Sequence, residues 1–273
     1  MSYLQDLVYR RSAIVLHDDK SYLIATRLAP LVREVGLKSI DELVGKIRHQ
    51  DASAPLVRRV IEAMTTNETL FFRDLHPFEA LRTRILPDLI RARSGQRALR
   101  IWCAAASTGQ EPYSIAMTLR EHFPELATWD VKIVASDINA SVLARARAAT
   151  YRQVEVNRGL PVTMLFKYFE RQGTDWALKP AIKDVVEFVE LNLLDAWTSI
   201  GPQDVVFIRN VLIYFDVETK RQLLRRIRGL LRGDGFLVLG GAETTNNIDE
   251  NYAPVKIGSG VYYQVRPPPP AAR

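Results

Sequence analysis

Between Leu4 and Met64, apolar residues recur every three or four positions: Tyr22, Leu23, Ala25, Leu28 and Leu31, then Ile40, Leu43, Val44 and Ile47 after a polar turn at Lys38-Ser39. That spacing gathers them on helix faces and predicts a small all-helical unit over residues 1–64. Its end is expected at Thr65-Thr66-Asn67-Glu68-Thr69, a polar stretch between the helical segment Leu56 to Met64 and the aromatic pair Phe71-Phe72. Residues 65–98 then read as a linker and a lead-in helix.

From Leu99 the period changes. Short apolar runs alternate with helical segments: Leu99 to Cys103, helix Glu111 to His122, Val131 to Ala135, helix Ala140 to Ala148, Val185 to Leu191, Val205 to Ile208, helix Glu218 to Leu231, and Phe236 to Leu239. Such alternation predicts an α/β unit over residues 99–266, a mostly parallel sheet covered on both faces. Two strand-like runs within Tyr252 to Val265, around Gly258-Ser259-Gly260, add an antiparallel edge hairpin. Tyr151 to Asp184 is too long for an ordinary strand–helix connection, so an insertion is expected at about 151–184. Pro267 to Pro270 begins a tail, 267–273, expected to be disordered.

Composition adds limits. With 273 residues, 47% of them hydrophobic, the chain can bury cores for two unequal domains. The opening MSYLQDLVYRR is polar, and no apolar run approaches the roughly 20 residues of a bilayer span, so a soluble cytoplasmic protein without membrane insertion is expected. The single cysteine, Cys103, allows no internal disulfide and sits in an apolar run, which favours a buried filler over a reactive thiol. A formal charge of +6 favours acidic partners without choosing among nucleic acid, anionic lipid and protein.

Candidate chemistry lies at predicted strand ends. Arg100 to Ser114 reads as strand, tight small-residue loop and helix start, where a ligand can approach backbone N–H groups and Pro112 suits the first helical turn. Asp137 ends the next strand, where a carboxylate can accept from both hydroxyls of a ribose; capping the helix at Ala140 is its other reading. In Glu190-Leu191-Asn192-Leu193-Leu194-Asp195, Leu193 is placed to sandwich an adenine and Asn192 to bond it, or Asn192 simply forms a turn. The apolar run Val205 to Ile208 leads straight into Arg209-Asn210, a costly placement unless a ligand or partner meets those groups. The Asn-Pro-Pro-Tyr or Asp-Pro-Pro-Tyr segment usual in amino-methyltransferases of bases and glutamine is absent here.

Four motifs together carry a resemblance: Thr66-Asn67-Glu68-Thr69-Leu70-Phe71-Phe72-Arg73-Asp74, Ala106-Ser107-Thr108-Gly109-Gln110-Glu111-Pro112-Tyr113-Ser114, Ser136-Asp137-Ile138, and Arg209-Asn210-Val211-Leu212-Ile213-Tyr214-Phe215. The chain resembles the CheR family of chemoreceptor glutamate methyltransferases over nearly its whole length. Ser12 to Leu16, Lys20 and Arg27-Leu28 also resemble that family's helical domain. The resemblance implies a Rossmann-like S-adenosylmethionine methyltransferase sheet, an all-helical N-terminal domain and a small antiparallel β-subdomain supplied by the insertion. It implies that Asn67, Thr69 and Arg73 contact the methionine part of the cofactor, Glu111 lies beside it, Asp137 holds the ribose, Asn192 and Leu193 flank the adenine, and Asn210 lines the site near the methyl. Gln110 departs from the family, which often carries a second acidic residue before Glu111. Some members grip a receptor's C-terminal pentapeptide with the β-subdomain; here Tyr168 to Phe188 looks short and glycine-poor, so independence from that tether is expected.

Esterifying a glutamate needs no catalytic base, because its pKa of about 4.3 leaves it ionised at neutral pH. Arg73 or Arg209 is expected to orient the incoming carboxylate and Tyr214 to shape the methyl pocket, with Tyr214 and Phe215 as plain core aromatics the alternative. No metal is expected. The expected partner of this monomer is the acidic methylation helices of a chemoreceptor, met by Arg10, Arg11, Arg33, Arg58 and Arg59, each of which also reads as solvated surface. The basic side of helix Lys220 to Arg228 reads as solubility rather than recognition. A nucleic-acid methyltransferase and a non-catalytic S-adenosylmethionine-binding module are the rival readings; Asn67, Arg73, Asp137 and Asn210 together argue against the second.

Overall fold

The computed structural model of the chain describes residues 2–16, 21–51 and 54–267. Lys20, and the tail expected to be disordered from Pro268 onward, lie outside them. Helices α1 (Ser2–Ser12), α2 (Ser21–Glu34), α3 (Ile40–Ile47) and α4 (Pro55–Met64) bury Leu4, Val8, Ile24, Leu28, Leu43, Val60 and Met64 in a core of their own. The buried stripe of α2 is Ile24, Leu28, Leu31 and Val32, while Tyr22 is 63% exposed. The helix is therefore rotated from the face that Tyr22 and Ala25 suggest, because Ile24 and Val32 extend the i, i+4, i+8 row. Ser39 caps α3 by accepting from the Glu42 N–H at 3.1 Å, which accounts for the break at Lys38-Ser39.

After the linker, α5 (His76–Ala80), a π-helical turn (Leu81–Ile85) and α6 (Leu86–Ala92) lead into the sheet. There β1 (Ala98–Ala104), α7 (Gln110–His122), β2 (Asp130–Asp137) and α8 (Ala140–Ala148) alternate as the pattern predicts. The insertion follows: β3 (Thr150–Arg152), α9 (Gln153–Val156), α10 (Val162–Tyr168), β4 (Phe169–Gln172), β5 (Asp175–Leu178) and α11 (Pro180–Lys183). Then come β6 (Val186–Glu190), β7 (Gln203–Ile208), α12 (Val217–Leu230), β8 (Leu231–Leu239), β9 (Tyr252–Ile257) and β10 (Gly260–Val265).

The main sheet has seven strands in the order β6-β2-β1-β7-β8-β10-β9. Its first five strands pair parallel and β10 pairs antiparallel with β8 and β9, so the chain has a Rossmann-like parallel sheet with an antiparallel edge hairpin. Chain order runs one way from β1 through β2 to β6 and the other way from β7 to β8, so the carboxyl ends of β1 and β7 flank a switch point where such sheets bind ligands. Strand β7 is buried along its whole length, as a central strand covered on both faces requires. Its buried Asp204 accepts from Arg93 Nε and the Arg100 N–H, both at 2.8 Å, and Arg93 reaches on to Asp234.

The insertion forms a separate antiparallel sheet, β3-β5-β4. It packs on the linker: the Phe71 ring meets Tyr151 and Phe169 edge-on, at 5.0 and 5.7 Å between centroids. Gly159, at φ +86°, lies so close to the Phe71 carbonyl that a Cβ there would meet its oxygen at 2.0 Å. Among the described residues no helix is long and apolar enough to cross a membrane.

Candidate active site

A cleft of about 950 Å³, counting its open mouth, lies at the switch point between the linker and the sheet. The structure brings all ten predicted site residues to its wall: Asn67, Thr69, Arg73, Glu111, Asp137, Asn192, Leu193, Arg209, Asn210 and Tyr214. They come from the linker, the start of α7, the last residue of β2 and the segments following β6 and β7. Among the described residues no cluster of His, Cys, Asp or Glu suits a metal ion.

Asp137 is 5% exposed at the end of β2. The Asn139 N–H donates to its Oδ1 at 2.9 Å and the Ser107 N–H to its Oδ2 at 2.8 Å, which fixes the carboxylate plane and leaves lone pairs on both oxygens. Burial pushes its pKa up, opposed by those backbone bonds. Capping α8 falls not to Asp137 but to Asn139, whose side chain accepts from the Ser141 and Val142 N–H groups. The strand ends two residues too early for Asp137 to reach the helix start.

Arg209 follows β7 with its side chain 2% exposed. Nη1 donates to Glu111 Oε2 at 2.8 Å, and Nη2 donates to the Arg73 carbonyl at 2.9 Å and to Asp74 Oδ2 at 2.7 Å. Burial raises the Glu111 pKa, and the Arg209 cation opposes that rise. Arg73, by contrast, donates to the Glu68 carbonyl at 3.2 Å and makes no ion pair among the described residues. Next to Arg209, Asn210 holds φ +58°, and its buried Oδ1 has no partner among the described residues, as is also true of Arg209 Nε.

At the other end, Asn192 Nδ2 donates to the Arg11 carbonyl and its Oδ1 accepts from the Leu194 N–H. Arg226 of α12 holds that same loop, donating Nη1 to the Leu193 carbonyl at 2.8 Å while its guanidinium lies 3.8 Å over the Trp197 ring. The basic side of α12 thus includes a structural clamp as well as solvated charge. Among the N-terminal arginines, Arg10, Arg58 and Arg59 are ion-paired, with Asp6, Glu190 and Glu34. Tyr214 is half-buried and Phe215 buried, and both line the cleft.

Sequence reasoning overlooked the wall supplied by Ser12 and Ile14, on either side of Ala13 at φ +58°. That segment is tied down where the Val15 N–H donates to the Tyr214 carbonyl at 2.9 Å. It overlooked Glu243 as well, which accepts backbone N–H groups around Asn210. The signal for Glu243 was the one used for Arg209: a charged residue just past the carboxyl end of a buried strand.

The geometry suits a nucleoside ligand with a charged tail. A carboxylate with free lone pairs serves a diol, the Asn192-Leu193 loop offers an apolar slot, and Asn210 Oδ1 needs a donor. The family model "CheR methyltransferase, SAM binding domain" matches residues 67–261, and "CheR methyltransferase, all-alpha domain" matches residues 1–65. Chemotaxis protein methyltransferase 1 of Pseudomonas aeruginosa is 47% identical over 93% of this chain and 93% of its own length. Chemotaxis protein methyltransferase Cher2 of Pseudomonas putida is 42% identical over the same shares. The chemotaxis protein methyltransferase of Escherichia coli is 38% identical over 91% of this chain and 85% of its own.

Proposed function

Because the chain belongs to the CheR methyltransferase family, we propose that it methylates glutamate side chains on the cytoplasmic helices of bacterial chemoreceptors, acting in the cytoplasm as a monomer. S-adenosylmethionine, which the family's sheet domain binds, supplies a methyl group activated on a sulfonium sulfur. Asp137 holds the ribose through the free lone pairs of its fixed carboxylate. Asn192 and Leu193 flank the adenine. Asn67, Thr69, Glu111 and Asn210 surround the methionine part, where Glu111 and Asn210 Oδ1 meet its cationic groups.

The observation that carries this reading is the difference between the two arginines. Arg209 is committed to Glu111, Asp74 and the Arg73 carbonyl, whereas Arg73 reaches the cleft with no salt bridge among the described residues and only a longer-range attraction to Glu111. A guanidinium in that position suits an incoming carboxylate, so Arg73 orients the acceptor and Arg209 holds the loop that carries it. No base is required, since an ordinary glutamate is already ionised at neutral pH. Charge would be lost as the carboxylate oxygen takes the methyl and the methyl–sulfur bond breaks to leave a neutral thioether, and the half-buried Tyr214 helps keep water from the reacting atoms. Alignment supplies the rest.

The β4–β5 hairpin reverses over Gly173-Thr174 alone, between the paired Gln172 and Asp175. So short a turn supports tether-independent action, with no binding of a receptor C-terminal pentapeptide in calorimetry. The function is tested by mapping a receptor cytoplasmic fragment after incubation with S-adenosylmethionine. Methyl groups are expected on glutamates alone, and methyl groups found only on other residues, or on nucleic acid, would overturn the reading.

A further inference from the structure

Glu243 sits on the turn after β8, outside the cavity wall, and its carboxylate accepts four backbone N–H groups. Oε2 accepts from Gly240 at 2.7 Å and Asn210 at 2.8 Å; Oε1 accepts from Val211 at 2.8 Å and Ile213 at 3.3 Å. Convergent backbone amides of this kind ordinarily form a nest for an external anion, and here the chain's own carboxylate fills it. Three of the four donors belong to the turn that leaves β7, so Glu243 binds that turn to the end of β8.

That turn contains Asn210 in the left-handed region, a conformation costly for a side-chain-bearing residue unless its surroundings fix it. The same turn places Asn210 in the cleft wall, and its Oδ1 is buried and unpartnered among the described residues. Gly240 completes the arrangement. A Cβ there would meet Glu243 Oε2 at 2.7 Å, the Asn210 nitrogen at 2.8 Å and Asn210 Nδ2 at 2.9 Å, so only glycine lets the three groups close up.

We propose that Glu243 is a positioning residue that sets Asn210 toward the cofactor by clamping the turn Asn210–Ile213 against the end of β8. It acts through Asn210 without touching the cofactor itself. The inference rests on the reading of Asn210 as a cofactor residue, but not on the identity of the methyl acceptor.

A glutamine at 243 offers one acceptor oxygen in place of two and turns an NH2 group toward the N–H donors, so Glu243→Gln loosens the turn with little change of shape. Asn210→Gly keeps the left-handed backbone and removes the side chain. Calorimetric affinity for S-adenosylhomocysteine is measured on the full-length protein: wild type, E243Q, N210G and the double variant. Melting curves set the folded fraction. E243Q and N210G are each expected to weaken binding roughly tenfold, and the double variant to be no weaker than the weaker single one. Affinity of folded E243Q within about twofold of wild type, or losses that multiply in the double variant, would overturn the proposal.

Gly240→Ala provides a second route, since it keeps the carboxylate and crowds the same contacts. It should weaken binding in the wild-type background and have no further effect in N210G; if E243Q does not fold, this pair decides by the same criterion. Because the readout is cofactor affinity, a failure to esterify glutamate would sink the proposed function and leave this result standing.

Discussion

Arg209 Nη1 lies 2.8 Å from Glu111 Oε2, joining the segment after β7 to the first turn of α7 inside the wall of the cleft. The same guanidinium reaches Asp74 and the Arg73 carbonyl, within a turn where Phe72, Asp74 and Leu75 all have positive φ. One buried cation therefore holds together an acidic residue of the cleft wall and a strained loop.

Replacing Arg209 with methionine leaves Glu111 buried without its cation. The free protein is expected to lose about 3 to 5 kcal/mol, seen as a lowered melting temperature. The double variant R209M/E111Q should regain much of that stability but not cofactor affinity. Equal melting of wild type and R209M would show that the pair does not support the loop.

Under the proposed function, Arg226 acts on the adenine side. Its hydrogen bond to the Leu193 carbonyl and its stacking on Trp197 hold the loop without contributing to the reacting end. Arg226→Ala is expected to raise the KM for S-adenosylmethionine roughly tenfold with kcat nearly unchanged. Arg226→Lys should not restore it, because an ammonium lacks the planar fork. A fall in kcat at saturating cofactor would contradict the assignment.

Burial raises the pKa of both Glu111 and Asp137, with Arg209 opposing it at the first and backbone hydrogen bonds at the second. A carboxyl raised in the fold gives its stability below the unfolded pKa and loses it as pH rises through the folded value, so at neutral pH ionisation of these two costs the free protein stability. A ligand that donates hydrogen bonds and carries positive charge favours the ionised forms. Cofactor affinity should therefore decline as pH falls from neutrality, beginning above the ordinary carboxylate range of about 4. The melting shift produced by S-adenosylhomocysteine is the readout. Asp137→Asn should bind more weakly and with a shallower pH dependence; a wild-type shift that stays constant down to that range would refute this.

The alternating α/β pattern was legible because each element carries its own period: helix Ala140–Ala148 matches to the residue, and β7 extends the expected run only to Gln203. The fold class follows from that alternation. The cleft was legible where polar residues follow buried strands, as at Asp137 and Arg209-Asn210. Long-range pairing was less so. Nothing local tells that Arg209 is spent on Glu111 and Asp74, that Arg226 clamps a loop distant in sequence, or that Asn139 displaces Asp137 as the helix cap. Backbone strain was equally hidden. Ala13, Ala105, Ser107 and Asn210 adopt positive φ at the cleft although none is glycine, because tertiary contacts rather than residue preference set them there.

Methyl esterification of receptor glutamates is tested most directly by incubating the protein with methyl-labelled S-adenosylmethionine and a receptor cytoplasmic fragment, then releasing volatile methanol with mild base. The account predicts base-labile labelled methanol that disappears in the Arg73→Ala variant under saturating cofactor. Cofactor binding with no volatile product from several receptors would contradict it.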